Sequence, residues 1–585
     1  VLTHLANGTT AQGERYKVAL NVAGNLTIDP GGQVNVDGMG YSANNGPGKP
    51  AVSFAGGSYG GKGGQRFGTP SSIGTTYGSI TAPTNLGSGG SIWQGGGCVQ
   101  LVVAGTTTVN GAISAMGAGG GTYESGSGGS VFLTTGALAG NGTIRANGGY
   151  VTADSSGGGG RVAVVLTNSM DFSNLKLQAY AGTGSGAYPG AYPGAGGTVY
   201  LQHTNHPSGQ GKLIVDCNGL RATLGNTLQN GTEASSYIFS EVVLTNTAVY
   251  ELDTNDTLNI TGTAVSGGTS SRSDGIYVAG GTLTVPPAFA FSNYFILIGA
   301  TNSTFLPATS LTAGTNATMK FDVPWTVDYP ITLEPGGWMS HSANSTDALG
   351  ERYKLKLTIN GNLNVQTGGA VNVDGMGYAA NNGPGKPVAT WSGGSYGGKG
   401  SMEARGSGIP GPTYGSITAP TNLGSGGTSP GGGCVRLMVT GTTTVNGAIS
   451  ASGGGVNYEG GSGGSVFLTT SVLTGNGTIR ANGGSTGFGS TGGGGRVAVV
   501  MTNSTDFGNV KIQAYAGGST LALGSAGTVY LEPQPQAPGR GLLLIDASNI
   551  VSTLTTLISS NVTDTVVGTV VITNKARFQI ATNQA

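Results

Sequence analysis

This chain of 585 residues has little charge and no long apolar run. Charged residues make up 9% of it, and 25 basic side chains balance 25 acidic ones. Without a basic stretch, the chain is a poor partner for nucleic acid or for an anionic membrane surface. No apolar run approaches the length of about 18 residues that a spanning helix needs, so we expect no membrane span.

Cysteine and histidine are also scarce. Three cysteines cannot form a disulfide framework in 585 residues. Cys98 and Cys434 occupy equivalent places in an internal repeat, so we expect small buried side chains rather than a bridge. The four histidines show no spacing typical of zinc ligands, and no calcium-binding loop motif occurs. The sequence therefore predicts no metal and no other cofactor.

A helical hydrophobic period is missing too, and glycine and a long repeat take its place. Glycine accounts for 114 of the 585 residues without a Gly-X-Y period, which excludes collagen. Residues 14–17 return as 351–354, and residues 34–41 return as 371–378, so the repeat is about 337 residues long. Self-similarity on this scale is typical of an elongated, repetitive protein rather than of a compact enzyme.

A shorter period of about 31 to 37 residues runs inside each copy. Short alternating runs follow glycine-rich stretches, as at 99–101 and 131–133, and such runs indicate β-strands. Coils of this length predict a parallel β-helix, in which like residues stack at about 4.8 Å. Glycine suits its corners because sharp turns need positive φ and because closely approaching coils leave no room for Cβ. The expected ladders are Val99–Val131–Val162–Val199, Leu101–Leu133–Val164–Leu201 and Ile113–Ile144.

The predicted fold is therefore all-β, a parallel β-helix or solenoid with glycine-rich loops, right-handed by the usual crossover chirality. A β-sandwich array is the alternative, and it predicts strand spacings of about 8 to 12 residues with no stacking register. Composition divides the chain into four segments: a first glycine-rich copy at 1–216 with a loop insertion at 41–97, a Thr/Asn-rich bridge at 217–340, a second copy at 341–545 with an insertion at 378–433, and a partial bridge at 546–585.

The outward positions of the strand runs form an unusually apolar column. Alternation makes such positions polar when they face water, yet this column is half aromatic. Either the long insertion covers it or another subunit does. Its aromatic members, the candidate assembly or loop-packing residues, are Phe132, Tyr200, Phe467 and Tyr530.

The insertions carry the candidate ligand-binding residues. Their tyrosines either stack on sugar rings or pack the glycine-rich loops onto the wall of the solenoid; they are Tyr59, Tyr77, Tyr396 and Tyr414. Asn-X-Ser/Thr sequons suit an extracellular surface if the host glycosylates them; the candidates are Asn7, Asn25, Asn230, Asn259, Asn302, Asn316, Asn344 and Asn561. The charged residues are scattered singly, so no catalytic residue is predicted.

One set of motifs resembles a known class. The motif at 130–133 is followed by those at 144–149, 160–164 and 195–201, and each has a counterpart in the second copy. The set resembles the glycine-rich repeats of bacterial cell-surface proteins and secreted fibres, similar to the β-helical passenger domains of autotransporters and adhesins. The resemblance implies a β-solenoid outside the cell with a structural or adhesive role, and it supplies no catalytic residues.

These observations favour a structural protein at the cell surface or outside the cell. Both chain ends fall inside a repeat without a polar cap, and unpaired strand edges template further pairing. We therefore predict a homopolymer: a filament, fibre or surface layer joined head to tail through the solenoid ends. The alternative is an adhesin or stalk that binds surface glycans. A polysaccharide-degrading β-helix enzyme is third, because it requires a cluster of acidic or basic residues on one face.

Overall fold

The structure is a computed structural model, and the residues it describes form strands and no helix. No helix among them is therefore available to cross a membrane. The chain divides into two compact units, Val1–Pro286 with Phe291–Ile296 and Asn302–Pro307, and Pro287–Ala290 with Leu297–Thr301 and Ala308–Ala585. The described residues are 1–7, 14–51, 54–65, 73–184, 193–220, 227–228, 235–262, 265–267, 272–344, 351–389, 391–402, 408–455, 458–520 and 522–581.

The strands are short, and glycine-rich or Asn-containing turns separate them. In chain order the first are β1 (Val18–Val22), β2 (Leu26–Ile28), β3 (Gln33–Asn35), β4 (Cys98–Val109), β5 (Ala112–Ser114), β6 (Ser130–Ala139), β7 (Thr143–Arg145), β8 (Arg161–Leu166), β9 (Lys176–Gln178), β10 (Thr198–Gln202), β11 (Lys212–Asp216), β12 (Thr227–Leu228), β13 (Ser236–Phe239), β14 (Glu241–Thr245), β15 (Val249–Leu252), β16 (Thr257–Ile260), β17 (Val265–Gly267), β18 (Gly275–Val278), β19 (Thr282–Thr284), β20 (Ala288–Phe291), β21 (Phe295–Ile298) and β22 (Thr304–Leu306).

The later strands repeat much of this order. They are β23 (Ser310–Ala313), β24 (Thr318–Phe321), β25 (Trp325–Val327), β26 (Ile331–Leu333), β27 (Trp338–Ser340), β28 (Leu355–Ile359), β29 (Leu363–Val365), β30 (Ala370–Asn372), β31 (Gly415–Ser416), β32 (Cys434–Val445), β33 (Ala448–Ser450), β34 (Ser465–Thr474), β35 (Thr478–Arg480), β36 (Arg496–Met501), β37 (Lys511–Gln513), β38 (Thr528–Glu532), β39 (Leu542–Asp546), β40 (Thr556–Ile558), β41 (Val562–Thr563), β42 (Thr569–Thr573) and β43 (Phe578–Ile580).

In the first unit the main sheet has the strand order β1-β4-β6-β8-β10-β11-β14-β17. Val99, Val131, Val162 and Val199 pair in register along it, and so does the leucine ladder. Ile113 and Ile144 pair in register in a separate four-stranded sheet with the order β3-β5-β7-β9. These side chains are buried in one apolar core. The predicted ladders are therefore confirmed, and the parallel all-β architecture is compatible with a β-solenoid.

In the second unit the same ladders recur. Val435, Val466, Val497 and Val529 pair in register across β32, β34, β36 and β38, and all are at most 2% exposed. The two units therefore build their main sheets by the same rule: β-branched residues alternate with outward residues, and each coil places them above their counterparts.

Each main sheet contains one antiparallel step, which the sequence did not predict. Strand β11 pairs antiparallel with β10, and this places Leu213 opposite Tyr200. Directly paired residues lie on the same face of a sheet, and both side chains are at most 1% exposed. Val242 on the next strand is paired with Leu213 and is also buried. After the hairpin, the apolar core therefore lies on the opposite face of the same sheet.

This second core explains the apolar outward column. In the second unit Tyr530 packs with Leu543 and Ile545 from β39, and Ile417 of the insertion joins the same cluster. In the first unit the Tyr200 ring lies 5.8 Å from that of Phe239. Tyr200 and Tyr530 are thus covered within the chain and are not available to another subunit, which corrects the assembly interpretation. Phe132 and Phe467 on the same face are half-buried.

The glycine-rich segments form a second kind of backbone structure, extended but outside the sheets. Successive N–H groups of residues 125–130 bond three neighbouring segments in turn, with a period of three residues. An extended helix with about three residues per turn and no internal hydrogen bonds has this geometry. The bonds run from Ser125 to Ser155, Gly126 to Ala118, Ser127 to Ser88, Gly128 to Gly158, Gly129 to Ala115 and Ser130 to Gly97, and residues 460–465 repeat the pattern.

Close approach of backbones, rather than turn conformation, requires glycine in these segments. A Cβ added to Gly126 would lie 1.9 Å from the carbonyl oxygen of Gln94, and one added to Gly128 would lie 2.0 Å from that of Ala146. Neither glycine has a positive φ. Of the two reasons predicted for the abundance of glycine, the lack of room for Cβ is therefore the one that applies here.

Candidate functional site

The four insertion tyrosines lie inside the protein. Tyr59, Tyr77, Tyr396 and Tyr414 are at most 5% exposed. The ring centroids are 4.6 Å apart in each pair, and the Tyr59 hydroxyl lies 2.7 Å from Ser130 Oγ on the sheet. Burial raises the pKa of Tyr396 to about 12. The rings offer no face to a sugar, so the sugar-stacking interpretation is corrected in favour of loop packing.

Each tyrosine pair encloses a buried arginine. Arg161 donates from Nε to the carbonyl oxygen of Tyr77 at 3.0 Å and from Nη1 to Thr198 Oγ1 at 3.1 Å, and its Cζ lies 5.6 Å from the Tyr59 ring centre. Arg496 makes the same contacts in the second copy. Desolvation lowers the pKa of Arg496. These guanidinium groups fasten the insertions to the sheet.

Two equivalent histidines, the buried His341 and the half-buried His4, bond to the backbone through both ring nitrogens. His341 accepts a hydrogen bond at Nε2 from the Cys434 N–H at 3.2 Å, so its Nδ1 carries the proton and donates to the Ser342 carbonyl at 2.7 Å. Burial lowers the pKa of His341 to about 4. His4 makes the equivalent contacts in the first copy. Among the described residues, no group of three or more His, Cys, Asp or Glu side chains is arranged to hold a metal ion.

The sequons fall into two groups. The Asn7 amide is buried and donates to the carbonyl oxygens of Tyr16 and Met39, both at 2.9 Å, and Asn344 is held in the same way. Neither amide nitrogen is accessible for glycosylation in the folded chain, which corrects the prediction at these two positions. Asn230 lies outside the described residues. The exposed sequon residues are Asn25, Asn302 and Asn561, and the half-buried ones are Asn259 and Asn316.

The second unit has an exposed apolar strand at one edge of its main sheet. Strand β42 pairs with β39 on one side, and no described strand pairs with its other side. Val570, Val571 and Ile572 are 45%, 39% and 49% exposed. An apolar strand with unpaired N–H and C=O groups is a template for pairing with another chain.

The first unit shows what covers such an edge. Strand β14 stands in the place of β42, and β17 pairs with it in parallel. There Val242 and Leu244, the counterparts of Val570 and Ile572, are 0% exposed. In the first unit, therefore, this strand has a parallel neighbour, and its two core-facing apolar residues are buried.

In the first unit, β1 lies at an edge of the main sheet. This strand pairs with β4, and no described strand pairs with its outer side; Leu20 on it is 39% exposed. Its counterpart in the second copy, β28, has β25 on that side.

Comparison with models of protein families, with curated proteins and with solved structures finds no match. The resemblance to autotransporter and adhesin passenger domains therefore stays a prediction.

Proposed function

We propose that this chain is a structural, extracellular protein with a parallel β-solenoid fold in two tandem copies, and that its molecules join head to tail into a filament or surface layer. In the contact, the free edge of β42 on one molecule pairs with the free edge of β1 on the next. A contact between two different surfaces generates an open chain of subunits rather than a closed pair.

The observation that supports this proposal most directly is the exposure of β42. Three adjacent apolar residues, Val570 to Ile572, lie on a strand with one side that no described strand pairs with. Two of their counterparts are fully buried on β14, which has a parallel neighbour on that side. Soluble proteins usually protect such edges with charge, proline or a covering element. Strand β42 itself, Thr569–Thr573, contains no charged residue and no proline.

The first test places a charge on each edge. The wild-type chain should form filaments in negative-stain electron microscopy and large species in sedimentation velocity. Ile572→Lys and Leu20→Lys should each leave mostly monomers, because a lysine on an edge strand opposes pairing. Val566→Lys is the matched control: Val566 is 58% exposed but precedes β42, so assembly should continue.

A cross-linking experiment then tests which surfaces meet. The native cysteines Cys98, Cys217 and Cys434 are free and buried, so Leu20→Cys and Val571→Cys each provide one exposed thiol. With a short bismaleimide, a mixture of the two variants should give covalent dimers, and neither variant alone should give them in comparable yield. A wild-type chain that stays monomeric at high concentration, or assembly that is indifferent to Ile572→Lys, would contradict the proposal.

A further inference from the structure

An exposed aromatic residue stands in a strained backbone conformation in both copies. Trp391 has a φ of 73° and is 47% exposed; Phe54, its counterpart in the first copy, has a φ of 81° and is 44% exposed. Positive φ is rare for a bulky residue and costs about 1 to 3 kcal/mol unless the surroundings enforce it. Strain of this kind concentrates at binding sites, and here it holds a large apolar side chain at the surface.

Specific contacts hold the backbone of Trp391 on both sides. Its N–H donates to Glu459 Oε1 at 2.7 Å, and its carbonyl oxygen accepts from Ser490 Oγ at 2.8 Å. Glu459 is only 7% exposed, so a nearly buried carboxylate is committed to this position. In the first copy the carbonyl of Phe54 accepts from Ser155 Oγ at 3.4 Å. The conformation is therefore supported by surrounding residues rather than by a loop alone.

Trp391 borders a cleft of about 680 Å³ in the second unit. Tyr458, which is 62% exposed, and Val388, which is 71% exposed, also line it. Lys386, Asn381 and Thr428 supply polar groups to the same cleft. The volume falls in the range of about 300 to 1,000 Å³ typical of small-molecule sites, and apolar walls with a few polar groups are typical of their lining.

We infer that this cleft binds a neutral sugar chain. The ring faces of Trp391 and Tyr458 suit the apolar faces of pyranose rings, and the Asn381 and Lys386 side chains suit their hydroxyl groups. Among the described residues that line the cleft, Lys386 carries the one ammonium and Glu459 the one carboxylate, so these residues have no net charge that would select a polyanion. The cleft does not include β42 or β1, so this inference stands whether or not the chain forms filaments.

The experiment is affinity electrophoresis of the full chain in native gels that contain one uncharged pyranose polymer each: mixed-linkage β-glucan, galactomannan or arabinoxylan. At least one should retard the wild-type chain. Trp391→Ala and Tyr458→Ala should each weaken that retardation by about tenfold or more in dissociation constant. Phe488→Ala is the matched control, because Phe488 is 78% exposed in the same unit and does not line the cleft.

A second variant separates loss of binding from loss of fold. Trp391→Gly removes the ring and accepts a positive φ without strain, so it should melt no earlier than the wild type and still fail to bind. The inference would be overturned by no retardation by any neutral polymer, by retardation with polygalacturonate or heparin only, or by retardation that Trp391→Gly leaves intact. Self-association that Trp391→Gly abolishes would assign the cleft to a second copy of the chain instead, and would also overturn it.

Discussion

Protonation of His341 should destabilise the second unit as the pH falls. This side chain is fully buried, and its Nε2 accepts the Cys434 N–H, so a second ring proton would face a donor. Burial lowers the pKa from 6.5 to about 4, while the bond to the Ser342 carbonyl raises it and Lys354 lowers it further. The unfolded chain therefore binds a proton near pH 6.5 and the folded chain only near pH 4. The contribution of neutral His341 to the free energy of unfolding is therefore complete above about pH 6.5 and is lost as the pH falls from there to about 4.

The size of the effect follows from this difference in pKa. At about 1.4 kcal/mol per pKa unit, the free energy of unfolding should fall by about 2 kcal/mol between about pH 7 and about pH 5 because of His341 alone. Glu14 and Glu351 also have lowered pKa values, from 4.5, so their contribution is lost only below this window. Stopping at about pH 5 separates the histidine effect from theirs.

The assay has a direct and an indirect reading. The chain has four histidines, so NMR of histidine labelled at Cε1 should show four ring signals, and the signal absent in His341→Gln should titrate near pH 4. In urea unfolding, the free energy of unfolding of the second unit should depend much less on pH in His341→Gln than in the wild type. An assigned signal that titrates near pH 6.5 would refute the reasoning, and so would a His341→Gln variant with the full dependence on pH.

Two further predictions concern the packing of the copies. Gly128→Ala should lower the free energy of unfolding by about 3 kcal/mol or more, because its Cβ would lie 2.0 Å from the carbonyl oxygen of Ala146. Gly24→Ala is the control: no atom lies within 4 Å of the added Cβ, so the free energy of unfolding should change by less than about 0.5 kcal/mol. Equal effects of the two substitutions in urea unfolding would contradict the argument. The thiols of Cys98 and Cys434, whose pKa burial raises to about 12, should stay unreactive towards dithiobis(nitrobenzoate) at about pH 8 until the chain unfolds, and rapid labelling of the native protein would contradict this.

The sequence predicted the ladders because their physical cause is local and periodic. Val99, Val131 and Val162 each follow a glycine-rich run by the same short distance, and parallel pairing in register is the arrangement that buries all of them. The same periodicity placed Phe132 and Tyr200 on one outward column, which the pairing confirms.

What covers this column could not be predicted from the period, because the period stops at a hairpin. The antiparallel pairing of β10 with β11 depends on the turn at 203–211, and it moves the core to the other face through a single change of strand direction. No residue pattern before the turn distinguishes that outcome from another parallel coil. The apolar nature of the column was the available signal, and it indicated a cover without indicating which segment supplies it.

The candidate binding residues were misplaced for a related reason. Tyr59 and Trp391 both lie in glycine-rich insertions, and composition alone does not predict which of them is exposed. The structure separates them: Tyr59 fills the space beside Arg161, whereas Trp391 is turned outward by a positive φ and a hydrogen bond to Glu459. A positive φ at an aromatic residue cannot be recognised from the sequence, because glycine and asparagine are the residues that usually adopt it.

The two copies also serve as an internal comparison. The contacts that fasten each insertion to the sheet are made by the same residue types in both copies: Arg161 donates to the carbonyl oxygen of Tyr77, and Arg496 donates to that of Tyr414. At the strained surface position, by contrast, Phe54 in one copy is Trp391 in the other. A position kept only for packing would favour the same side chain, because cores tolerate changes of volume poorly. Phe54 and Trp391 are about half exposed, so a change in size costs little packing there, and the feature that both copies retain is a positive φ that presents an aromatic ring at the surface.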